Sequence, residues 1–180
     1  LSQILRGKIQ RSSGNERTQL VSQATNHLRS VLALDGNNIQ AYATLAALYN
    51  DIGYLEMARL VGQQAIKRAD EIATGRIDEG DTKANKEAGD KAPEKASKEV
   101  RVEGTGYTTE MRKQLALVYN TLGLVDLRRK NVTGAIANFR KGIDMDPALN
   151  EARMNLAAVS LNFRDYKTAE DNFRAVLRAQ

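Results

Sequence analysis

The sequence predicts an all-α fold, a solenoid in which antiparallel helix hairpins stack in single file. Two observations predict it: the pattern of large and small side chains repeats every 34 residues, and apolar residues recur at helical spacing within each repeat. Near the end of the chain the repeated positions are Val132, Ala135 and Phe139, then Tyr166, Ala169 and Phe173. Near the start they are Ala24, Leu28 and Val31, then Ala58, Gly62 and Ala65. Units of this kind bury their apolar surface against their neighbours, so the fold grows by stacking.

The first 36 residues predict one short and one long helix. The short helix has a single apolar face, formed by Leu1, Ile4, Leu5 and Ile9. A turn follows in which Asn15 is expected to cap the long helix, over about residues 16–34. The buried face of the long helix is expected to comprise Leu20, Ala24, Leu28, Val31 and Leu32. Gly36 then stands at the position of a C-terminal glycine.

The rest of the chain predicts three helix pairs. The first pair covers residues 39–52 and 55–73, with Gly53 and Tyr54 at its turn. After a break, the pairs cover residues 108–130 with 133–145 and residues 148–163 with 166–179. Pro147 fits either the end of one helix or the first turn of the next. Asn131 suits turn and cap geometry, and Asp165 is expected to cap the last helix.

The residues at the repeated positions resemble the tetratricopeptide repeat (TPR). The third unit reads Tyr119-x2-Leu122-Gly123, Ala135-x3-Phe139-x2-Gly142 and Pro147, and the fourth reads Leu156-Ala157 and Ala169-x3-Phe173. The second unit has Tyr42-x2-Leu45-Ala46-x2-Tyr49, Gly53, Ala58 and Ala65. Small residues at these positions let two helices approach, and large ones fill the space beside them. The resemblance implies a right-handed α-solenoid, from which Gly62, Asp126 and Arg153 depart by replacing large residues.

The repeat pattern divides the chain into five segments. A degenerate helical repeat is expected over residues 1–36, and TPR-like repeats over 37–73, 107–148 and 149–180. The chain opens inside a helical pattern without methionine, so we expect a fragment whose array continues beyond it. Residues 74–106 form an insert with 15 charged residues and five glycines, a composition that favours a mobile loop. A short helix over residues 94–99, a continuation of the preceding helix and a regulatory flap over the groove remain alternatives.

The chemistry of catalysis, metal binding and cofactor binding has no candidate residues in this sequence. There is no cysteine, and His27 is the single histidine, without a partner at a suggestive spacing. No run of apolar residues is long enough to span a bilayer. We therefore expect a protein that is not an enzyme and uses no cofactor.

The resemblance implies that the first helix of each pair lines a concave groove in which a partner peptide binds. In the second unit its groove positions are Ala43, Ala47, Asn50 and Asp51, with Gln40. In the third unit they are Leu117, Asn120, Leu124, Leu127 and Arg128. In the fourth unit they are Met154, Asn155, Ala158, Leu161 and Asn162, with Glu151.

The predicted groove differs from that of family members that hold a terminal carboxylate. Those members carry lysine at the fifth repeat position, where this chain has Ala43, Asn120 and Met154. Apolar side chains of an extended or helical peptide are instead expected against the leucines and Met154, with groove asparagines bonding its backbone. In an alternative interpretation, Leu117 and Leu127 belong to the core between helices.

The predicted function is a protein-interaction scaffold within a multiprotein assembly. One alternative is an assembly factor of a bacterial envelope, pilus, secretion or motility system, which leaves the compartment open between cytoplasm and periplasm. A second alternative is nucleic-acid binding, through basic residues of the third unit that include Arg112, Arg128, Arg129 and Arg140. Homodimerisation is also expected, through an exposed apolar stripe of the last repeat formed by Phe173, Val176 and Leu177.

Overall fold

The computed structural model describes residues 7–9, 11–76 and 106–179. Its helices in chain order are α1 (Gly14–Leu34), α2 (Ile39–Asp51), α3 (Leu55–Ala73), α4 (Thr109–Arg128), α5 (Val132–Met145), α6 (Asn150–Asn162) and α7 (Tyr166–Arg178). Residues 1–6 and 77–105, and with them most of the predicted short helix and of the charged insert, lie outside the described residues. The predicted alternatives for the insert, including a helix over residues 94–99, lie outside the described residues as well.

Each helix packs against the next one in the chain, so the stack follows the sequence. The hairpins are α2 with α3, α4 with α5, and α6 with α7, and α1 covers the free side of α2. Helix α4 contacts both helices of the preceding hairpin, and α5 contacts α6. This order confirms the predicted all-α solenoid of stacked helix hairpins.

Two glycines set how closely neighbouring helices approach. A Cβ atom added at Gly123 would lie 2.6 Å from Cδ1 of Phe139, whose ring is fully buried between α4 and α5. A Cβ atom added at Gly62 would lie 2.9 Å from Cδ2 of Leu122 in the next hairpin. Gly62 departs from the TPR pattern because Leu122 occupies the space that a large side chain fills elsewhere.

The departure at Asp126 also has a structural reason. In the second unit, Tyr49 stacks on Tyr54 across the turn, with ring centroids 6.3 Å apart. The equivalent pair in the third unit is Asp126 and Asn131, where Asn131 Nδ2 donates to Asp126 Oδ1 at 3.1 Å. Asn138 Nδ2 donates to the other carboxylate oxygen at 2.8 Å. A hydrogen-bonded cluster therefore replaces an aromatic pair at the same place in the hairpin.

Side-chain caps begin four of the helices. Asn38, Thr108, Asn131 and Asp165 each accept a hydrogen bond from the backbone N–H three residues later. The caps predicted at Asn131 and Asp165 are confirmed, whereas the cap predicted at Asn15 is wrong because α1 already begins at Gly14. Gly36 is also not the left-handed residue that was expected, since Asp35 Oδ1 makes this turn by accepting from Asn37 N at 3.0 Å.

The turn inside each hairpin repeats one left-handed backbone position. Gly53 has a φ of 86°, and its equivalents Lys130 and Arg164 each have a φ of 61°. Residues with a Cβ atom rarely adopt this conformation, because it brings that atom close to the backbone. The geometry of the hairpin therefore imposes the same turn whether or not glycine is present.

The hairpins α2–α3 and α4–α5 stack directly on each other although the insert separates them in sequence. Gly106 has a φ of 70°, and a Cβ atom added there would lie 2.6 Å from the carbonyl oxygen of Ala73. The chain thus returns to the end of α3, where the Tyr107 hydroxyl donates to Asp70. Below this junction, Leu115 and Val118 are fully buried in the cluster that joins α3 to α4.

We expect Gly123→Ala to lower the free energy of unfolding by about 1–3 kcal/mol, because the added methyl group meets the buried Phe139 ring. Urea unfolding followed by circular dichroism measures the change. Gly36→Ala is the control, since its added Cβ atom meets only a carbonyl oxygen at 3.8 Å. Equal losses in the two variants would contradict the close approach of α4 and α5.

The double variant Lys130→Gly plus Arg164→Gly is expected to be more stable than the parent chain. Each left-handed residue costs roughly 1 kcal/mol, of which about half is offset by the extra backbone freedom of unfolded glycine. The midpoint of thermal unfolding should rise by about 2–4 °C. Lys113→Gly, on the exposed face of the right-handed helix α4, should instead cost about 1 kcal/mol. A double variant as unstable as this control would refute the shared turn.

Ionisation of Tyr107 is expected to weaken the junction at high pH. Burial, and then the hydrogen bond to Asp70, raise the pKa of Tyr107 above its ordinary value. The stabilisation is fully present below the unfolded-state pKa of about 10 and is lost as the pH rises through the folded-state pKa. Unfolding measured across alkaline pH should show a smaller loss for Tyr107→Phe than for the parent. A loss as steep in Tyr107→Phe would argue against this role.

Candidate partner-binding groove

The first helices of the three hairpins, α2, α4 and α6, form one surface, which we call the inner groove. Its centre holds a cavity of about 180 Å³, here called the central cavity. The cavity is lined by Gln40, Ala43, Thr44, Ala47, Asn50, Asp51, Leu117, Asn120, Thr121, Leu124 and Glu151. These residues come from α2 and α4, with Glu151 of α6 at the edge.

The structure brings nine of the sixteen predicted groove residues together around the central cavity. They are Gln40, Ala43, Ala47, Asn50, Asp51, Leu117, Asn120, Leu124 and Glu151. Thr44 and Thr121 line the cavity as well, and sequence reasoning missed both. Each follows directly after a predicted groove position and lies on the same helical face four residues after Gln40 or Leu117. That spacing was the available signal.

The other predicted residues have different surroundings. Leu127 packs against the buried cluster around Phe139, as the core interpretation expected, and Leu124 contacts that cluster as well as the cavity. The Arg128 guanidinium donates to the backbone carbonyl of Asn50. The remaining α6 residues lie outside the cavity lining: Asn155 is half-buried, and Met154, Ala158, Leu161 and Asn162 are exposed.

A second cavity, of about 230 Å³, lies at the N-terminal end of α4 and is here called the end cavity. Its lining comprises Asp35, Asn37, Asn38, Ile39, Ile72, Thr108, Glu110, Met111 and Gln114. Along α4, Glu110, Gln114, Leu117, Thr121 and Leu124 follow one another at steps of three and four residues, so they share one face. This face borders the end cavity at Glu110 and Gln114 and the central cavity at Leu117, Thr121 and Leu124, so both cavities lie along the same side of α4.

Buried amides lie at the wall of the central cavity. Asn50 is 3% exposed, and its Oδ1 atom has no hydrogen-bond partner among the described residues. Asn120 is also buried, but its Oδ1 atom accepts from Asn155 Nδ2 at 2.9 Å, which links α4 to α6. A buried acceptor without a partner is costly, so the Asn50 amide is the side chain that a ligand's donor would relieve.

The ionisable residues that line the two cavities all carry carboxylates. Asp51 and Glu151 line the central cavity, and Asp35 and Glu110 line the end cavity, while neither lining contains lysine or arginine. This is the opposite of the whole chain, whose net charge is +5. The sign of the charge in the inner groove is therefore a local property.

Several arginines near the groove are already used within the fold. Arg112 donates from Nε to the Met145 carbonyl at 3.1 Å and also bonds the Asp144 carbonyl, at the C-terminal end of α5. Arg129 pairs with Glu56 of the preceding hairpin. Arg112 and Arg128 therefore cap the C-terminal carbonyls of α5 and α2. Arg129 joins neighbouring repeats through its ion pair.

The described part of the chain offers little for metal or redox chemistry. It contains no group of three or more histidine, cysteine or acidic residues positioned to hold a metal ion, and His27 is exposed. Among the described helices, none has the length and apolar character needed to cross a bilayer. The central cavity is also smaller than the roughly 300–1,000 Å³ of pockets for drug-sized molecules, and suits a single side chain better.

No protein-family model matches the chain, and no curated protein matches it. Solved structures with some likeness include MamA, residues 41 to the end, from Desulfovibrio magneticus RS-1: it is 16% identical, the alignment covers 99% of this chain and 94% of that chain, and the TM-score is 0.36. PilF of Pseudomonas aeruginosa is also 16% identical, with 99% of this chain and 74% of that chain covered, at a TM-score of 0.36.

Likenesses with so low a TM-score carry no argument about the groove. The sequential stacking of hairpins, the small residues at Ala46, Gly123 and Ala157, and the repeated turn come from this chain alone. They are the features of a stack of helix hairpins, and the residues at the repeated positions resemble those of the tetratricopeptide repeat. The chain has a helical-repeat fold.

Proposed function

We propose that this chain is a non-enzymatic scaffold that binds a segment of a partner protein in the inner groove. The observation that supports the proposal most is the central cavity, in which the apolar side chains of Ala43, Ala47 and Leu117 lie beside Asn50, whose Oδ1 atom has no hydrogen-bond partner among the described residues. Apolar contacts in such a cavity supply affinity, and amides beside it bond the backbone of a bound segment. Leu117, which is 37% exposed at the cavity, is the side chain best placed to contact the partner.

Nucleic-acid binding is a weaker alternative for this groove. The groove is lined by carboxylates, which repel phosphates, and three of the predicted basic residues are engaged in contacts within the fold. The narrower prediction, an assembly factor of a bacterial envelope, pilus, secretion or motility system, rests on composition and stays a prediction.

A selection of random peptides displayed on phage, with the full chain as bait, tests the groove. Peptides that bind the parent are expected to lose affinity for Leu117→Ala by about tenfold, because a central apolar contact contributes more than about 1 kcal/mol. Fluorescence polarisation of the labelled peptides gives the Kd.

Leu60→Ala is the matched control, because Leu60 is an exposed leucine on α3, a second helix away from both cavity linings. It should leave the Kd unchanged. Peptides that bind Leu117→Ala and the parent equally well would show that the inner groove is not the binding surface. Circular dichroism of both variants establishes that each is folded.

A second proposal concerns self-association through the outer face of the last repeat. Phe163 and Tyr166 are each 62% exposed and Leu177 is 69% exposed. This set differs from the exposed apolar stripe predicted for the last repeat. Of the three residues predicted there, Val176 is buried and Phe173 is half-buried, and only Leu177 is exposed. One repeat earlier, the equivalents of Tyr166 and Leu177 are Val132 and Ile143, which pack against a buried cluster that includes Leu156 and Val159 of the following hairpin.

The exposed face of α7 is therefore equivalent to the face of α5 that the following hairpin covers. A two-fold contact with a second copy would cover it without any other partner. Sedimentation velocity at increasing concentration is expected to show a dimer for the parent and a monomer for Leu177→Glu. Leu60→Glu, which places the same charge at an exposed leucine of α3, should still dimerise. A parent chain that stays monomeric throughout would refute self-association.

A further inference from the structure

The inner groove differs from the rest of the chain in the sign of its charge. Four carboxylates line its two cavities and no lysine or arginine does, although the chain carries a net charge of +5. Complementary charge steers encounter and selects partners more than it adds affinity. A groove with this lining favours a cationic segment and disfavours an acidic segment or a free terminal carboxylate.

An independent observation points to a ligand at the same place. Asn50 lines the central cavity and is 3% exposed, yet its Oδ1 atom makes no hydrogen bond among the described residues. A backbone or side-chain N–H group entering the cavity can meet this amide after rotation about its last side-chain bond. The apolar walls beside it, Ala43, Ala47 and Leu117, suit an aliphatic side chain of the same segment.

The distance between the two cavities along α4 sets the length of a segment that reaches both. The face of α4 from Glu110 to Leu124 rises about 20 Å at 1.5 Å per residue. An extended segment rises about 3.3 Å per residue, so about six residues reach from one cavity to the other.

We propose that the ligand of the inner groove is an extended, basic segment of a partner protein, about six residues long. Its apolar side chain enters the central cavity, its N–H groups meet Asn50, and its lysine or arginine side chains lie beside Asp51, Glu151 and Glu110. This inference rests on the proposed groove function and adds the chemistry of the ligand to it.

The peptides selected from the displayed random library are the probes. Their sequences are expected to be enriched in lysine and arginine over aspartate and glutamate. The double variant Asp51→Asn plus Glu151→Gln should weaken their binding by about three- to tenfold, as expected for two partly exposed charges. Its Kd should also depend less on salt, because fewer opposite charges are screened.

Two matched controls are needed. One distinguishes the effect of the groove carboxylates from that of net charge, and the other tests whether the peptides bind in the groove at all. Glu16→Gln plus Asp144→Asn removes the same charge from exposed positions of α1 and α5, outside both cavity linings, and should leave the Kd unchanged. Leu117→Ala tests the groove without changing any charge. If the selected peptides depend on Leu117 but are not enriched in basic residues, the proposed basic ligand is wrong and the groove proposal is unaffected. The same holds if they depend on Leu117 but bind the Asp51 and Glu151 double variant as tightly as the parent. Peptides indifferent to Leu117 overturn both.

The nearly isosteric variant Asn50→Leu distinguishes a ligand-binding role of Asn50 from a purely structural one, because stability and peptide affinity are expected to change in opposite directions. Replacing a buried side chain whose Oδ1 atom has no hydrogen-bond partner among the described residues by an apolar one should raise the midpoint of urea unfolding. Binding of the same peptides should nevertheless weaken, because the acceptor is gone. A variant that is more stable and binds equally well would show that Asn50 does not contact the ligand, and would contradict the proposed contact.

Discussion

The close approach of neighbouring helices is the constraint on which the rest of this molecule is built. At Gly123 the helix backbone lies against the ring of Phe139, and at Gly62 it lies against the end of Leu122. Interiors pack at the density of organic crystals, so a missing side chain on one helix has to be filled by a large one on its neighbour. The large residue that fills the space at Gly123 is Phe139 of the same hairpin, whereas the one at Gly62 is Leu122 of the next hairpin. The contact at Gly62 therefore joins successive repeats.

The same packing explains why the stack continues across a long insert. The cluster that contains Leu115 and Val118 lies between α3 and α4, which are separated by residues 77–105 in sequence but adjacent in space. Gly106 fits beside the Ala73 carbonyl only because it has no side chain, and Tyr107 then bonds Asp70. Long insertions cost little when the two chain ends are held together, since the entropy of loop closure grows slowly with length. The repeat interface therefore tolerates an interruption at this point.

In the stack α4 contacts both α2 and α3, and one face of the first helices borders the two cavities. Along this face lie the Asn50 Oδ1 atom, which has no hydrogen-bond partner among the described residues, and carboxylates of both linings. Buried polar groups without partners and like charges around a cavity both oppose folding. In the inner groove the Asn50 Oδ1 atom and the carboxylates lie along one surface, and this combination is the basis of the proposed ligand site.

Much of the architecture follows from local patterns, because helical periodicity and turn chemistry act over a few residues. The period of 34 residues placed α3 at residues 55–73, as observed, and the cap at Asp165 was recognisable from the residue type and its position. At the end of α1 two turn-forming residues, Asp35 and Gly36, are adjacent, and the sequence pattern does not decide which of them forms the turn. In the structure it is the Asp35 carboxylate, which accepts from Asn37 N. The groove residues predicted on α2 all line the central cavity, because their common face depends only on helical spacing.

The depth and polarity of the groove depend on contacts between residues that are far apart in the chain. Arg128 bonds the carbonyl of Asn50 from 78 positions away, and Asn155 bonds Asn120 from 35 positions away. Whether a leucine faces the cavity or the core depends on how far apart two helices lie, which is why Leu117 and Leu127 have different surroundings. No local pattern encodes that separation, because it results from all the side chains packed between the helices at once.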